Sequence, residues 1–361
     1  MARNSDEAPS ATVPDPDEVG ARPGARPERR GTTTLAMVAS RVGVSLNTVS
    51  RALRAPHTVR PELKRRIDQA LQDLNYVPNR LAGGLAGTRS DIVGVVITSL
   101  FHSEFAAVVD TLQAQLLDRN LQVMLGNSRY DPEEERRLVR SILSWRPAAV
   151  AIVGCDHHPE ATELLASCGA PIVEMWDVGG DIIDSAVGMD HEAIGRAQAE
   201  HLLSRGYRRL AFLGSLREAD ARARKRASGM AATLAEAGLP PLVRMTRPEG
   251  GHPDLGESLL HELLAAHRDV DGIVCNSDAV AFGVLRGLRR VGQNVPGDRG
   301  VVGFGDVDAG SCISPTLTSV RPARHAIGRL TAETILARIA GEEPRRITVD
   351  WELLERESTA R

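Results

Sequence analysis

Residues 43–54, GVSLNTVSRALR, carry hydrogen-bonding side chains at helical spacing. Ser45 can cap a helix, because its side-chain oxygen can accept a hydrogen bond from an otherwise unpaired backbone N–H of the first turn. Val49 and Leu53 lie four residues apart and therefore share one face of that helix. Another face carries the side chains that could contact a second molecule: Leu46, Asn47, Ser50 and Arg51.

A second short helix is predicted just upstream. In TTLAMVASRV, apolar residues recur at helical spacing at Leu35, Val38, Ala39 and Val42. Two short helices joined by a glycine turn make a helix-turn-helix motif. In that motif the N-terminal residues of the second helix reach base edges in the major groove. The chemistry predicted for this segment is therefore recognition of double-stranded DNA.

The distribution of charge agrees with DNA contact at this end of the chain. The 361-residue protein has a net charge of −3, so it is not basic as a whole. Between Arg30 and Asp91, however, there are ten Lys or Arg residues and four acidic residues, which gives a local net charge of +6. A basic segment on an acidic chain is typical of phosphate contact.

The sequence offers no motif for catalysis, metal or cofactor binding. LAGGLAGTRS follows a predicted helix and has no Gly-Lys-Ser/Thr, so it does not fit a phosphate-binding loop. GCDHH (residues 154–158) has no matching ligand pair nearby, so a metal site is not expected. The four cysteines form no CxxC pair and are expected to be thiols. No signal peptide is apparent, so a cytoplasmic protein is expected. Because no catalytic motif is present, the protein is not expected to be an enzyme.

The chain divides by composition into four parts. Residues 1–30 are polar and Pro-rich and are predicted to be disordered. Residues 31–78 contain the helix-turn-helix and a third helix that begins near Pro61, and residues 79–90 form a linker. From residue 91 to residue 361, short β-branched runs alternate with amphipathic helices. This alternation predicts parallel sheets, and about nine strands are too many for one sheet, so two α/β lobes are expected.

Residues 31–361 resemble the LacI family of bacterial transcription regulators. The matching segments occur in order: TLAMVASRVGVSLNTVSRALR, LNYVPN, GYRRLAFLG, CNSDAVAFG and VVGFGD. Within the family, AVGMDHEAIGR and SVRPARHAIGRLTAETILARIAG look most like the gluconate-repressor branch. The resemblance implies a homodimer or larger assembly on a pseudopalindromic operator. It also implies an effector bound between two periplasmic-binding-protein-like lobes.

The resemblance also implies which residues contact DNA. Leu46, Asn47 and Arg51 match the base-reading positions, and by bidentate geometry Arg suits guanine and Asn suits adenine. Ser45, Thr48 and Ser50 are better placed for contacts with phosphates. Thr34 is also expected to contact DNA. The segment that contains Asn79, Ala82 and Leu85 matches the family's hinge helix, where Leu85 would open a base step in the minor groove.

The effector-binding residues implied by the resemblance centre on Arg226. The other predicted pocket positions are Thr98, His102, Phe105, Asp177, Ser277 and Asp306. Gly305 departs from the family pattern, which often has Asp directly after the VVGF strand, and Asp306 follows one place later. The arginine and the branch together favour a sugar acid such as gluconate as the effector. Two alternatives remain. One is a regulator that responds to a phosphorylated or neutral sugar, and the other is a solute-binding protein for sugar uptake.

Overall fold

The computed structural model describes residues 33–77, 90–100, 103–216, 220–248 and 250–361. The predictions for the 1–30 tail and for Asn79, Ala82, Leu85 and His102 lie outside these residues. The chain divides into two units, residues 1–83 and 84–361. In the ranges that the structure describes, no helix is long and apolar enough to cross a membrane.

Within residues 33–77, the first unit has three α-helices, α1 (Leu35–Val42), α2 (Leu46–Arg54) and α3 (Pro61–Asp73). Thr34 caps α1 by accepting a hydrogen bond from the Met37 N–H at 3.3 Å. Gly43 ends α1 with φ 75°, a left-handed conformation that glycine adopts without a steric cost. Its small core consists of Val38, Ala39, Val42, Val49, Ala52, Val59, Ile67 and Ala70. The helix-turn-helix prediction is therefore confirmed.

The second unit alternates strands and helices along the chain. Its strands are β1 (Ile92–Ile97), β2 (Gln122–Asn127), β3 (Ala149–Val153), β4 (Ile172–Asp177), β5 (Ser185–Met189), β6 (Leu210–Ser215), β7 (Val243–Arg247), β8 (Gly272–Cys275), β9 (Gly300–Phe304), β10 (Thr318–Pro322), β11 (Arg346–Thr348) and β12 (Trp351–Leu354). Its helices are α4 (Ser103–Leu117), α5 (Pro132–Ser144), α6 (Pro159–Ser167), α7 (His191–Ser204), α8 (Ala221–Glu236), α9 (Pro253–Ala266), α10 (Asp278–Arg290), α11 (Ala309–Cys312) and α12 (Arg324–Ile339).

These strands form two sheets of six, one in each lobe. The first-lobe sheet has the order β11-β5-β4-β3-β1-β2, and each of its pairs is parallel. The second-lobe sheet has the order β12-β10-β9-β8-β6-β7, and β12 runs antiparallel to β10. The prediction of two α/β lobes with largely parallel sheets is confirmed, although the described residues contain twelve strands instead of about nine.

The chain passes between the two lobes three times. After β5 the chain leaves the first lobe and forms α7, which packs on α8 beside the second sheet. After β10 the chain returns to the first lobe, where α12 packs on α4. It crosses again between β11 and β12, which belong to different sheets. Each lobe is therefore built from distant parts of the sequence.

Helices α7 and α8 cross at a distance that only glycine permits. A Cβ atom at Gly195 would lie 1.9 Å from the carbonyl oxygen of Arg226, and one at Gly229 would lie 2.1 Å from that of Glu192. Both neighbours are backbone atoms, which cannot rotate away. The two glycines therefore fix α8, and with it Arg226, against α7.

Candidate functional site

The exposed face of α2 carries the three predicted base-reading residues. Val49 and Ala52 are fully buried against α1 and α3, whereas Leu46 is 49% exposed. Asn47 and Arg51 are also exposed. An exposed leucine on this face has no role in the core of the first unit. The structure thus places Leu46, Asn47 and Arg51 together on the surface of the second helix of the motif.

The hydroxyl groups near these residues serve the helices themselves. Ser45 Oγ accepts a hydrogen bond from the Thr48 N–H at 3.1 Å and lies 2.9 Å from Thr48 Oγ1. Thr34 has the corresponding role at the start of α1, and Ser50 is half-buried. The caps orient the first turn of α2, and phosphate contact by these hydroxyls stays a prediction.

A cavity of about 520 Å³ lies in the second unit, in the cleft between its lobes. The first lobe contributes side chains from the ends of β1, β2 and β4 and from the start of α4. The second lobe contributes residues from the start of α8, from the ends of β6 and β9, and from the segments that follow β7 and β8. Residues on its wall include Thr98, Glu104, Phe105, Tyr130, Trp176, His191, Asp220, Arg222, Arg226, Asn276, Ser277 and Phe304.

Arg226 is buried at this cavity among uncharged partners. Its Nη1 donates to His191 Nδ1 at 3.1 Å, and its Nη2 donates to the Asn276 carbonyl oxygen at 3.0 Å. The guanidinium lies over the Phe304 ring, 4.0 Å from the centroid. Burial lowers the pKa of Arg226 to about 10, which still leaves it protonated at neutral pH.

The neighbouring His191 is held as a neutral ring. Its Nε2 lies 3.0 Å from the Trp176 carbonyl oxygen, which can only accept, so Nε2 carries the proton. Its Nδ1 is then the acceptor for Arg226. Burial, followed by the charges of Arg226 and Arg222, lowers the pKa of His191 well below its ordinary value.

Arg222 lies one helical turn before Arg226 and reaches the same cavity. Its Nη2 donates to Thr98 Oγ1 at 3.4 Å, so it connects α8 of the second lobe with β1 of the first. Its Nε lies 3.5 Å from Asp220, which also caps α8. Burial alone would lower the pKa of Arg222, but Asp220 and Tyr130 raise it above its ordinary value.

Several buried polar atoms at the wall of the cavity lack a hydrogen-bond partner in the described part of the chain. Three are donors: Nη1 of Arg222, Nε of Arg226 and Nε1 of Trp176. Two are acceptors: Oε2 of Glu104 and Oδ1 of Asn276. Leaving a buried polar atom unpaired costs about 1–3 kcal/mol, so these atoms favour a polar ligand that carries both donors and acceptors.

Asp177 does not line this cavity, which differs from its prediction as an effector-binding residue. Its Oδ2 accepts a hydrogen bond from Lys225 Nζ at 2.5 Å, and its Oδ1 accepts one from the Gly179 N–H at 2.8 Å. Asp177 borders a second, adjoining cavity of about 610 Å³. Because Lys225 belongs to α8 and Asp177 ends β4, the ion pair joins the two lobes beside the first cavity.

Asp306 also lies away from the predicted pocket. Its two oxygens accept hydrogen bonds from Arg321 Nε and Arg356 Nη2, both at 2.6 Å, and these bonds lower its pKa although burial alone would raise it. It is absent from the walls of both described cavities. The extra Gly305 has φ 129°, and with this backbone the next carboxylate turns toward β10 and the C-terminal segment. The prediction that Asp306 binds effector is not supported by this position.

Four of the predicted pocket residues lie on the cavity wall, and several other residues on that wall were not predicted. Thr98, Phe105, Ser277 and Arg226 line the cavity, and Ser277 also caps α10. Other residues on the cavity wall were not predicted, among them Glu104, Trp176, His191, Arg222 and Asn276. Only Arg222 left a signal, because it lies four residues before Arg226 and therefore shares its helix face.

In the GCDHH segment, His157 is paired with two carboxylates. His157 is buried with its Nδ1 3.2 Å from Glu135 Oε1 and its Nε2 3.3 Å from Glu174 Oε1. No group of three or more potential metal ligands occurs in the ranges that the structure describes. The two carboxylates thus have a histidine as their partner.

A helix-turn-helix unit attached to a two-lobed α/β unit with a polar cleft defines a class of protein: a DNA-binding module joined to a small-molecule-binding domain. Residues 34–79 match the model of the bacterial regulatory proteins of the lacI family, and residues 199–359 match a periplasmic binding protein-like domain. The chain is 38% identical to the HTH-type transcriptional regulator GntR of Pseudomonas aeruginosa, over 91% of this chain and 96% of the relative. The chain therefore belongs to the LacI family and is a transcriptional regulator.

Two solved structures agree with this assignment. A LacI-family transcriptional regulator from Silicibacter pomeroyi superposes with a TM-score of 0.85 at 34% identity, covering 91% of this chain and 100% of the other. The lac repressor dimer bound to operator and the anti-inducer ONPF superposes with a TM-score of 0.79 at 25% identity. That match covers 91% of this chain and 99% of the lac repressor chain.

Proposed function

We propose that this regulator is a repressor whose binding to operator DNA is controlled by a small anionic polyol, a sugar acid such as gluconate. Residues 31–78 form the DNA-binding headpiece, residues 79–90 the hinge, and residues 91–361 the effector-binding and dimerisation domain. The tail, residues 1–30, is left outside these roles. The chain acts by binding and catalyses no reaction of its own.

In this proposal α2 reads the operator. Arg51 pairs with guanine and Asn47 with adenine, while Leu46 contacts apolar base edges. Thr34, Ser45, Thr48 and Ser50 contact phosphates, and Asn79, Ala82 and Leu85 contact the minor groove. Leu46, Asn47 and Arg51 are all exposed on α2, and the accessibility of all three side chains supports this assignment.

The observation that carries the effector proposal is the pair of buried arginines on α8. Nη1 of Arg222 and Nε of Arg226 have no hydrogen-bond partner in the described residues. Both side chains line the cavity. A carboxylate can accept charge-assisted hydrogen bonds from both side chains. The pairing is stronger in a cleft that excludes water than at a surface. The resemblance to the gluconate-repressor branch and the similarity to GntR favour a sugar acid over other carboxylates.

We propose a homodimer, or a dimer of dimers, on a pseudopalindromic operator. Two copies of α2 related by a twofold axis would contact two half-sites in successive major grooves. The operator-bound dimer of the lac repressor supports this arrangement.

A mobility-shift experiment with the full-length chain tests the regulatory proposal. The DNA is the region upstream of the chain's own gene, with random DNA of equal length as the control. We expect a specific complex that gluconate changes and glucose does not. A complex that is equally stable on random DNA would contradict the proposal for α2, and a response to glucose alone would contradict the effector class.

Calorimetry of the same protein tests the arginine assignment. We expect Arg226→Gln to lose measurable gluconate binding, whereas Arg329→Gln, a change at an exposed arginine on α12, should bind as the parent does. Normal binding by Arg226→Gln would show that the carboxylate binds elsewhere.

A further inference from the structure

Glu104 places an acceptor and a negative charge on the wall of a cavity that is otherwise suited to an anion. It is the second residue of α4 and is only 6% exposed. Its Oε2 has no hydrogen-bond partner in the described part of the chain. A buried carboxylate oxygen without a partner is costly, so its retention beside a polar cavity points to a ligand that supplies a donor.

The cationic and anionic walls are close to each other. A Cβ atom at Gly305 would lie 2.6 Å from Glu104 Oε1, and the preceding residue, Phe304, carries the Arg226 guanidinium on its ring. Glu104 is also among the charges that raise the pKa of Tyr130, after burial and Asp220. A ligand held by Arg226 therefore lies within the field of Glu104.

The positive charge available to the ligand is also limited. Arg222 already has the Asp220 carboxylate as a neighbour, at 3.5 Å. The hydrogen-bond partners of Arg226, by contrast, are a neutral histidine and a backbone carbonyl oxygen. The α8 side of the cavity therefore has the charge to balance one carboxylate, and the α4 side disfavours a second anionic group.

We propose that Glu104 is the residue that restricts the effector to a polyhydroxy monocarboxylate. Its carboxylate accepts a hydrogen bond from a ligand hydroxyl while Arg222 and Arg226 hold the ligand carboxylate. Oδ1 of Asn276 accepts from a second hydroxyl. A phosphate or a second carboxylate on the same carbon skeleton meets the charge of Glu104 and is rejected. This inference rests on the proposed sugar-acid effector and names its charge.

Calorimetry of the full-length chain with three acids of one skeleton tests the proposal. The probes are D-gluconate, D-glucarate and 6-phosphogluconate, and the proteins are the parent, Glu104→Gln and the control Glu333→Gln, a change at an exposed glutamate on α12. The glutamine keeps an acceptor oxygen but removes the charge. We expect the parent to bind gluconate at least about tenfold more tightly than either of the two more highly charged acids. We expect Glu104→Gln to narrow that ratio at least about fivefold, and Glu333→Gln to keep it.

The ratio separates a role in specificity from a merely structural one. A structural loss would weaken the binding of all three acids by the same factor, which would refute the role of Glu104. Should Glu104→Gln not fold, the ranking by the parent decides, because equal or tighter binding of glucarate or 6-phosphogluconate refutes the proposal. Tight gluconate binding with an unchanged ratio in Glu104→Gln refutes the inference and leaves the sugar-acid effector in place. Binding of neutral glucose with all three acids silent refutes both.

Discussion

We expect the buried His157 to stabilise the first lobe through its positive charge, so its replacement should cause a pH-dependent loss of stability. Its ring lies between Glu135 of α5 and Glu174 of β4, and its side chain is 1% exposed. Burial alone would lower the pKa of His157, but the two carboxylates raise it from the ordinary value of 6.5 to about 9. In His157→Gln the two buried glutamates would lose their shared cation.

The magnitude follows from the shift in the pKa. A difference of about 2.5 units between folded and unfolded chain corresponds to about 3 kcal/mol of folding free energy. Because the folded-state pKa is raised, this stabilisation is fully present below about pH 6.5 and is lost as the pH rises through about 9. We therefore expect His157→Gln to be less stable by about 3 kcal/mol near pH 6.5, with the difference falling toward pH 10.

Urea unfolding followed by tryptophan fluorescence provides the assay. The three tryptophans, Trp145, Trp176 and Trp351, all lie in the second unit, so the signal reports on that unit alone. His261→Gln, a change at an exposed histidine of α9, is the control and should unfold like the parent. A difference between His157→Gln and the parent that stays constant from pH 6.5 to pH 10 would refute the electrostatic reasoning and indicate a packing defect instead.

Three other substitutions test the DNA surface, the link between the lobes and the placement of α8. Arg51→Ala should lower operator affinity by about 1–3 kcal/mol and relax specificity at one base position per half-site, as measured by mobility shift on operator variants; equal weakening on random DNA would mean that Arg51 contacts only phosphate. Lys225→Met should lower the free energy of unfolding by about 2 kcal/mol because it leaves Asp177 buried without a cation, and Asp177→Asn in the same chain should recover part of the loss; no recovery would argue against a pairwise interaction. Gly195→Ala should lower the free energy of unfolding by about 1–3 kcal/mol and also weaken effector binding, because the new methyl group displaces the backbone of Arg226. An unchanged effector affinity in calorimetry would show that α8 can move without affecting the cleft.

Features that depend on neighbours in the sequence could be predicted from the sequence. The helix-turn-helix was predictable because its signals are local: a hydroxyl cap at Ser45, a glycine at the turn, and apolar residues one helical turn apart. The two α/β lobes were predictable because buried parallel strands are continuous apolar runs, such as the fully buried AVAIV of β3. The strands β11 and β12, of three and four residues, lack such runs: β11 is largely exposed, β12 is mostly half-buried, and both extend the edges of sheets formed by distant residues.

The composition of the cleft was decided by the tertiary structure. The basic run of α8 shows which residues are charged, but the crossing with α7 at Gly195 determines that Arg222 and Arg226 face the cavity while Lys225 pairs with the first lobe. Asp177 ends β4 and Asp306 follows β9, as candidate ligands should, yet each pairs with cations distant in sequence, Lys225 in one case and Arg321 and Arg356 in the other. Charge pairs of this kind form wherever the fold brings two side chains within about 4 Å, and sequence spacing carries no information about that distance.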